Sequence, residues 1–243
     1  MSSGLRILAF DIYGTLLDTG SVSFDLRELL QLDEAKATQV TQLWRRYQLE
    51  YTWRLNSMGL YEPFDRVTWR SFLHAAADSH LAVDESTADR ILERYNHLST
   101  FDDALPALQN LSELPELRTK LMVFSNDYNL MLDFVGTQRM VDSALAGTPL
   151  STIPHGIFVA DEVKIYKPSA KIYHGLVAHV NNTAALNEGQ KIDSENIWLV
   201  SGNPFDVTGA RAAGLSAVWV DRAGSGWTDR IAPTGHDLKP NRI

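Results

Sequence analysis

Short apolar runs that each end in small or polar residues recur along this chain. Four regular runs and a weaker one share this pattern, and they cover residues 5–10, 121–124, 197–200, 217–220 and, more weakly, 156–159. Apolar runs of this length, separated by helical stretches, are typical of parallel strands that helices cover on both faces. The pattern therefore predicts an α/β fold with a doubly wound parallel sheet.

The interval between the first two apolar runs is too long for a single crossover, and it has helical periodicity. Its apolar residues recur at a spacing of about 3.6 residues. The helices that this spacing predicts cover residues 34–55, 67–77 and 86–98. Asp33 can cap the start of the first of them. We expect residues 20–99 to form a helical cap, inserted into a core domain made of residues 1–19 and 100–243.

Other stretches have the composition of loops. Residues 148–156 contain two prolines, and residues 181–196 are strongly polar, so both are expected to be surface insertions. Pro106 and Pro115 punctuate the return of the chain from the cap to the sheet.

Composition narrows the classes of function. The chain has 243 residues and a formal net charge of -8, which disfavours nucleic acid and anionic membranes as partners. It has no cysteine, so disulfides, thiolate metal sites and cysteine nucleophiles are excluded. The first residues do not have the pattern of a signal peptide, and no run approaches the ~20 apolar residues of a membrane span. We expect a soluble cytoplasmic protein.

Polar side chains that can do chemistry follow several of the predicted strands. The carboxyl ends of parallel strands meet at one edge of the sheet, where open α/β sheets bind ligands. The candidates at this edge carry carboxylate, hydroxyl, amide or ammonium groups, and they are Asp11, Thr15, Ser125, Asn126, Lys167, Tyr173, Ser201, Asn203 and Asp206. The structural alternative is that Asp11 caps the turn that follows it and that the serines cap helices. Their convergence predicts an anion pocket around one carboxylate.

These motifs resemble those of the haloacid dehalogenase superfamily, and within it the L-2-haloacid dehalogenases. The matching motifs are residues 10–16, Ser125-Asn126, Lys167-Pro168 and residues 201–206. Residues 43–53 resemble the cap helix of the dehalogenases, whose arginine corresponds to Arg45. The alternative is an amphipathic helix with Arg45 on its solvated face. The resemblance implies a Rossmann-like core with an inserted helical cap.

The resemblance also implies an activity, which is hydrolysis of short L-2-haloalkanoic acids to D-2-hydroxy acids through an ester on Asp11, without metal or cofactor. The implied catalytic residues are Asp11, Thr15, Arg45, Ser125, Lys167, Tyr173, Ser201, Asn203 and Asp206. The implied substrate-binding residues are Ile12, Tyr13, Arg45, Leu49, Phe64, Ser125, Asn126 and Phe205. The implied partners are a small anionic 2-haloacid and a halide ion, and a homodimer is a candidate assembly.

Departures from the superfamily's patterns bear on this activity. Its phosphatases use magnesium and an aspartate two residues after the nucleophile, where this chain has Tyr13. Asn203 stands where a metal-binding acid would be expected, Phe205 replaces a residue that is tryptophan in some relatives, and Arg46 replaces a frequent glutamine. Two alternatives stay open: a phosphatase or related phosphoryl-transfer enzyme, and a non-catalytic binding protein of the same fold.

Overall fold

Most of the chain is described by a computed structural model. The described residues are 4–113, 118–127, 156–231 and 233–243. Pro115 and nearly all of the loop expected over residues 148–156 lie outside them.

A parallel sheet forms the centre of the fold. Its strands are β1 (Arg6–Phe10), β2 (Thr119–Ser125), β3 (Ile157–Val159), β4 (Ile197–Ser201) and β5 (Ser216–Trp219). They lie in the order β3-β2-β1-β4-β5, and every described pairing is parallel. The predicted doubly wound α/β class is confirmed, and so is the weaker strand near residue 157. Because β1 is central, with Phe10 opposite both Val123 and Val200, the residue after it emerges in the middle of the sheet edge.

The first four helices after β1 form the predicted cap. They are α1 (Val22–Leu30), α2 (Glu34–Met58), α3 (Phe64–Asp78) and α4 (Glu85–Tyr95). Asp33 caps α2 as predicted, because its carboxylate accepts a hydrogen bond of 2.7 Å from the backbone N–H of Lys36. The cap has its own aromatic core, in which the Trp44 ring lies 4.9 Å from Phe72 and 4.8 Å from Tyr95.

The remaining helices flank the sheet. They are α5 (Ala104–Ser112), α6 (Ala170–Asn182), the short α7 (Ala184–Asn187) and α8 (Pro204–Ala212). Pro106, expected to punctuate the return of the chain from the cap to the sheet, lies in the first turn of α5. Backbone N–H groups of a first turn have no partner within the helix, so proline costs little there.

The expectation of a surface loop over residues 181–196 was wrong in part. Residues 181–182 complete α6, α7 follows, and Ser194–Asn196 form a 3-10 turn. Asn181 holds the segment against the domain, since its amide donates to the Ile192 carbonyl at 3.0 Å and accepts from the Ile192 N–H at 2.8 Å. Leu186 is buried beneath it. In the described parts of the chain, no helix combines the length and the apolar character needed to cross a membrane.

Candidate active site

Asp11 lies directly after β1 and is buried, with 5% of its surface exposed. Its backbone N–H donates to the carbonyl of Val200 on the neighbouring strand at 3.0 Å. The loop after Asp11 then crosses the loop after β4 very closely. A Cβ atom on Gly202 would lie 2.2 Å from the carbonyl oxygen of Gly14, a distance that only glycine permits. This crossing fixes the two loops that carry most of the site.

The ammonium group of Lys167 lies between two buried carboxylates. Its Nζ is 3.1 Å from Oδ1 of Asp11 and 2.7 Å from Oδ2 of Asp206. It also donates to the carbonyl of Phe124 at 2.8 Å. Each of its three N–H bonds therefore has an acceptor, and the lysine, only 1% exposed, is fixed in place.

The second oxygen of Asp11, Oδ2, is held by donors from other loops. The Thr15 hydroxyl and the Asn203 amide both donate to it at 2.7 Å, and Ser201 lies at 3.5 Å. Thr15 in turn accepts a hydrogen bond of 2.9 Å from the backbone N–H of Gly202. Oδ2 is therefore saturated with donors, whereas within the described residues the hydrogen bond of Oδ1 is the one from Lys167.

Asp206 is the second acid of the site and is completely buried at the start of α8. The Tyr173 hydroxyl donates to its Oδ1 at 2.7 Å. Burial raises the pKa of Asp206 above its usual range, and the nearby Asp11 raises it further, against the opposing effect of Lys167. Desolvation of the ring and the adjacent Asp206 also raise the pKa of Tyr173 well above its usual value, so its hydroxyl acts as a donor.

Arg45 reaches down from α2 to the core loops. Its Nη2 donates to the Tyr13 carbonyl at 3.3 Å and to Oδ1 of Asn203 at 3.4 Å, while Nη1 donates to Oε1 of Gln48 at 2.6 Å. The alternative of a solvated Arg45 is therefore wrong. Its neighbour Arg46 is the exposed one, with its guanidinium 5.3 Å from the centre of the Tyr47 ring.

Apolar and aromatic side chains surround this polar cluster. The rings of Tyr13 and Phe64 lie 5.5 Å apart, and both residues are buried, as is Ile12. Leu49 is half-buried on α2. The ring of Phe205 lies 5.5 Å from that of Trp53, so it packs against the cap.

The loop after β2 contains Asp127, for which no role could be predicted from the sequence. Asp127 is buried, and it accepts a hydrogen bond of 3.1 Å from the Tyr13 hydroxyl. Its backbone N–H donates to Ser125 Oγ at 3.3 Å. Burial, with Asp127 as a second cause, raises the pKa of Tyr13 well above its usual value. Asn126 supports the segment that carries Lys167, here called the lysine loop. Its side-chain oxygen accepts a hydrogen bond of 2.8 Å from the backbone N–H of Lys167.

A second missed residue joins the cap to the lysine loop. The Asn56 amide, near the end of α2, donates to the Tyr166 carbonyl at 2.7 Å and accepts from the Tyr166 N–H at 2.9 Å. Tyr166 immediately precedes Lys167. An asparagine in a polar stretch of helix gives no sequence signal for this contact.

The structure thus brings the predicted residues together to different degrees. One hydrogen-bonded network joins Asp11, Thr15, Arg45, Lys167, Tyr173, Ser201, Asn203 and Asp206. Ser125 and Asn126 lie beside it, whereas the described ring contact of Phe205 is with the cap. Among the described residues, no group of three or more histidines and acids is placed to hold a metal ion.

A doubly wound parallel sheet, with helices inserted after its first strand and a buried aspartate at its carboxyl edge, defines an α/β class of protein with a helical cap. Residues 5–214 match the family described as haloacid dehalogenase-like hydrolase, and the chain belongs to this family. The resemblance predicted from the motifs is confirmed.

Relatives of known name are similar over nearly the whole chain. Haloacetate dehalogenase H-2 of Moraxella sp. (strain B) is 30% identical over 90% of this chain and 87% of its own length. (S)-2-haloacid dehalogenase 4A of Burkholderia cepacia is 29% identical over 98% of this chain and 92% of its own. The L-2-haloacid dehalogenase from Xanthobacter autotrophicus, solved with chloropropionic acid covalently bound, is 27% identical with a TM-score of 0.75, covering 91% of this chain and 79% of that one.

Proposed function

We propose that this chain hydrolyses the carbon–halogen bond of short L-2-haloalkanoic acids to give D-2-hydroxy acids. The observation that carries the proposal is a buried carboxylate, Asp11, fixed by Lys167 and Asn203, with the cap's Arg45 reaching the same Asn203. This arrangement joins a nucleophile to a cation that can receive an anionic leaving group. The named relatives, and the Xanthobacter autotrophicus structure with covalently bound chloropropionic acid, support the same reaction.

In the first step, Oδ1 of Asp11 attacks C2 of the substrate, because Oδ2 is already saturated with donors. A C2–O bond forms as the carbon–halogen bond breaks, and the halide leaves with the bonding electrons. In-line positioning can supply roughly 7–11 kcal/mol of such a barrier. Arg45 stabilises the charge that appears on the halide. Attack from the back inverts C2, which converts an L-substrate into a D-configured ester.

In the second step, water attacks the carbonyl carbon of the Asp11 ester. Asp206 accepts one proton of this water, with Asn203 and Ser201 orienting it. The tetrahedral intermediate then expels the 2-hydroxy acid, whose alkoxide takes the proton back from Asp206. Asp11 returns to its carboxylate by releasing the second proton to solvent. C2 is untouched in this step, so the product keeps the inverted configuration.

The other predicted residues bind the substrate or orient these groups. Ser125 and Asn126, with backbone N–H groups after Asp11, hold the substrate carboxylate, and Thr15 and Lys167 keep Asp11 oriented. Tyr173 orients Asp206 through its 2.7 Å hydrogen bond. The apolar walls are formed by Ile12, Tyr13, Leu49, Phe64 and Phe205.

The residues around Asp11 do not suit magnesium. Magnesium is bound by oxygen ligands, yet Asn203, at the position where a metal-binding acid is expected, turns its amide nitrogen toward the carboxylate. Tyr13, two residues after the nucleophile, uses its hydroxyl to donate to Asp127. These groups favour the dehalogenase over the phosphatase alternative.

Halide release from L- and D-2-chloropropionate, with and without a chelator, tests this function. We expect turnover of the L-enantiomer only, unchanged by the chelator, and none from Asp11→Asn. Loss of halide release on chelation would contradict the metal-free part of the proposal, and magnesium-dependent hydrolysis of p-nitrophenyl phosphate would instead support the phosphatase. Inertness toward both substrate classes would support the binding protein.

Some broader predictions belong with this proposal. The boundaries of the cap, residues 20–99, and of the core, residues 1–19 and 100–243, stay proposed. So do the cytoplasmic location, the absence of nucleic-acid and membrane partners, and the homodimer. Trp53, Met58 and Leu60 are large apolar residues exposed on the cap, and they support an assembly through that surface.

A further inference from the structure

Gln48 lies one turn beyond Arg45 on α2, and its side chain is completely buried. Residues three apart on a helix are neighbours on its surface. Oε1 of Gln48 accepts a hydrogen bond of 2.6 Å from Nη1 of Arg45 and a longer one of 3.3 Å from the Tyr95 hydroxyl. A buried amide therefore holds the cap arginine from behind.

The direction of this amide is fixed by its other end. The Thr68 hydroxyl donates its proton to the Phe64 carbonyl at 2.7 Å. Thr68 must therefore act as the acceptor for Nε2 of Gln48, which lies 2.7 Å from it. With Nε2 committed to Thr68, the carbonyl oxygen of Gln48 faces Arg45. A flipped amide would place its N–H donors against the guanidinium, and its oxygen against the Thr68 hydroxyl, whose proton is already donated to Phe64.

The acceptors that hold Arg45 share one property. Within the described residues they are the Gln48 side-chain oxygen, the Tyr13 carbonyl and the Asn203 side-chain oxygen, and all three are neutral. Neutral acceptors orient the guanidinium without cancelling its charge. A carboxylate at the position of Gln48 would form a buried ion pair and leave less positive charge for an incoming anion.

We infer that Gln48 is a positioning residue that aims Arg45 at the halide site and keeps its positive charge uncompensated there. This inference rests on the proposed function, in which Arg45 receives the leaving halide. The inference assigns to a neutral, completely buried residue the control of how tightly Arg45 binds a halide ion.

A purely structural role is the alternative, because Gln48 also joins α2 to α3 through Thr68. Two substitutions of similar size separate the roles. Gln48→Met removes the acceptor, and Gln48→Glu keeps an acceptor but makes it negative. Thr52→Val is the matched control. It deletes a hydrogen bond of another buried α2 side chain, from the Thr52 hydroxyl to the Leu49 carbonyl at 2.7 Å, away from Arg45.

The measurements are bromide binding by fluorescence quenching, turnover of chloro- and bromopropionate, and the urea midpoint of each variant. We expect Gln48→Glu to weaken bromide binding and to lower kcat by roughly tenfold or more, a factor that represents about 1.4 kcal/mol. We expect kcat to fall more for chloropropionate than for bromopropionate, because chloride is the poorer leaving group. KM should change less than kcat. Gln48→Met should fall between Gln48→Glu and wild type, and Thr52→Val should change only the urea midpoint.

Equal bromide affinity in wild type and Gln48→Glu, both folded by circular dichroism, would overturn the inference. The inference would also be overturned if bromide binding and kcat fell only in proportion to the urea midpoint, in Thr52→Val as well as in the Gln48 variants. Bromide binding does not require turnover, so it tests Gln48 even if wild type releases no halide from any haloacid. That last result would count against the proposed function and not against the role of Gln48.

Discussion

At the scale of single residues, the two acids of the site differ in what surrounds them. In the part of the chain that the structure describes, one oxygen of Asp11 accepts from Lys167 alone, at 3.1 Å, whereas both oxygens of Asp206 accept hydrogen bonds of 2.7 Å. An oxygen with free lone pairs can attack carbon, and a carboxylate in a fixed network can hold a proton. This difference supports the proposed division, in which Asp11 is the nucleophile and Asp206 is the base.

The variant Asp206→Asn tests that division. It keeps the shape of the side chain but removes the base, so the ester on Asp11 should form and then persist. We expect a burst of about one halide per active site followed by very slow release, as in other enzymes with a covalent intermediate. Mass spectrometry of the burst product should locate the added mass on the peptide that contains Asp11. Full steady-state turnover would show that another group activates the water.

The raised pKa of Asp206 predicts the acid limb of the pH profile. The base must be deprotonated, so activity is lost as pH falls through a pKa that lies above the ordinary aspartate value of about 3.9. The same shift favours the folded state only while Asp206 is protonated, so its contribution to stability is lost as pH rises through the raised pKa. Single-turnover ester hydrolysis across pH measures the limb, and an inflection at or below the ordinary value would contradict the shift.

Sequence and structure agree best on residues that follow strands. Asp11, Ser125 and Ser201 could be predicted because each ends an apolar run at the same edge of a parallel sheet. Gln48 and Asp127 could not be predicted, because the sequence does not distinguish a buried polar residue from a solvated one until its partner is known. Those partners lie 20 and 114 residues away, at Thr68 and Tyr13.

At the scale of secondary-structure elements, periodicity identified α2 and its cap Asp33, since the apolar stripe of a long amphipathic helix is a strong signal. It did not identify α5, which has Pro106 in its first turn, or α7, which is a single turn. Such short or interrupted elements are decided by tertiary contacts such as that between Asn181 and Ile192.

The junction between α2 and the lysine loop gives a prediction at this scale. Asn56→Ala removes both hydrogen bonds to Tyr166, each worth about 0.5–1.5 kcal/mol. We expect the free energy of unfolding to fall by roughly 1–3 kcal/mol, and kcat to fall because Lys167 is the next residue. Hydrogen exchange should accelerate at the end of α2 and around residue 166.

Arg54→Ala is the matched control for that junction. Arg54 lies on the same part of α2, but its described ion pair is an exposed one with Glu50 at 3.4 Å. Exposed pairs of this kind contribute about 0.3–0.5 kcal/mol. Equal effects of the two substitutions on exchange around residue 166 would show that the junction does not position the lysine loop.

At the scale of the whole molecule, the proposed site lies where cap and core meet. The cap supplies Arg45, the core supplies Asp11 and Lys167, and Asn203 contacts both Arg45 and Asp11. A ligand that fills this junction should therefore stabilise both parts together. Cap and core should also unfold in one transition, because the Asn56 and Arg45 contacts cross between them.

Thermal unfolding with the product D-2-hydroxypropionate tests this coupling. At a concentration about a hundred times its Kd, a ligand adds about 2.7 kcal/mol to the free energy of unfolding. For a chain of this size each kcal/mol raises Tm by about 2–4 °C, so we expect one transition shifted upward by roughly 5–10 °C. The L-enantiomer, which does not match the inverted product, should shift Tm less. Two separate transitions, of which the product moves only one, would mean that cap and core fold independently and that the ligand is bound by one of them alone.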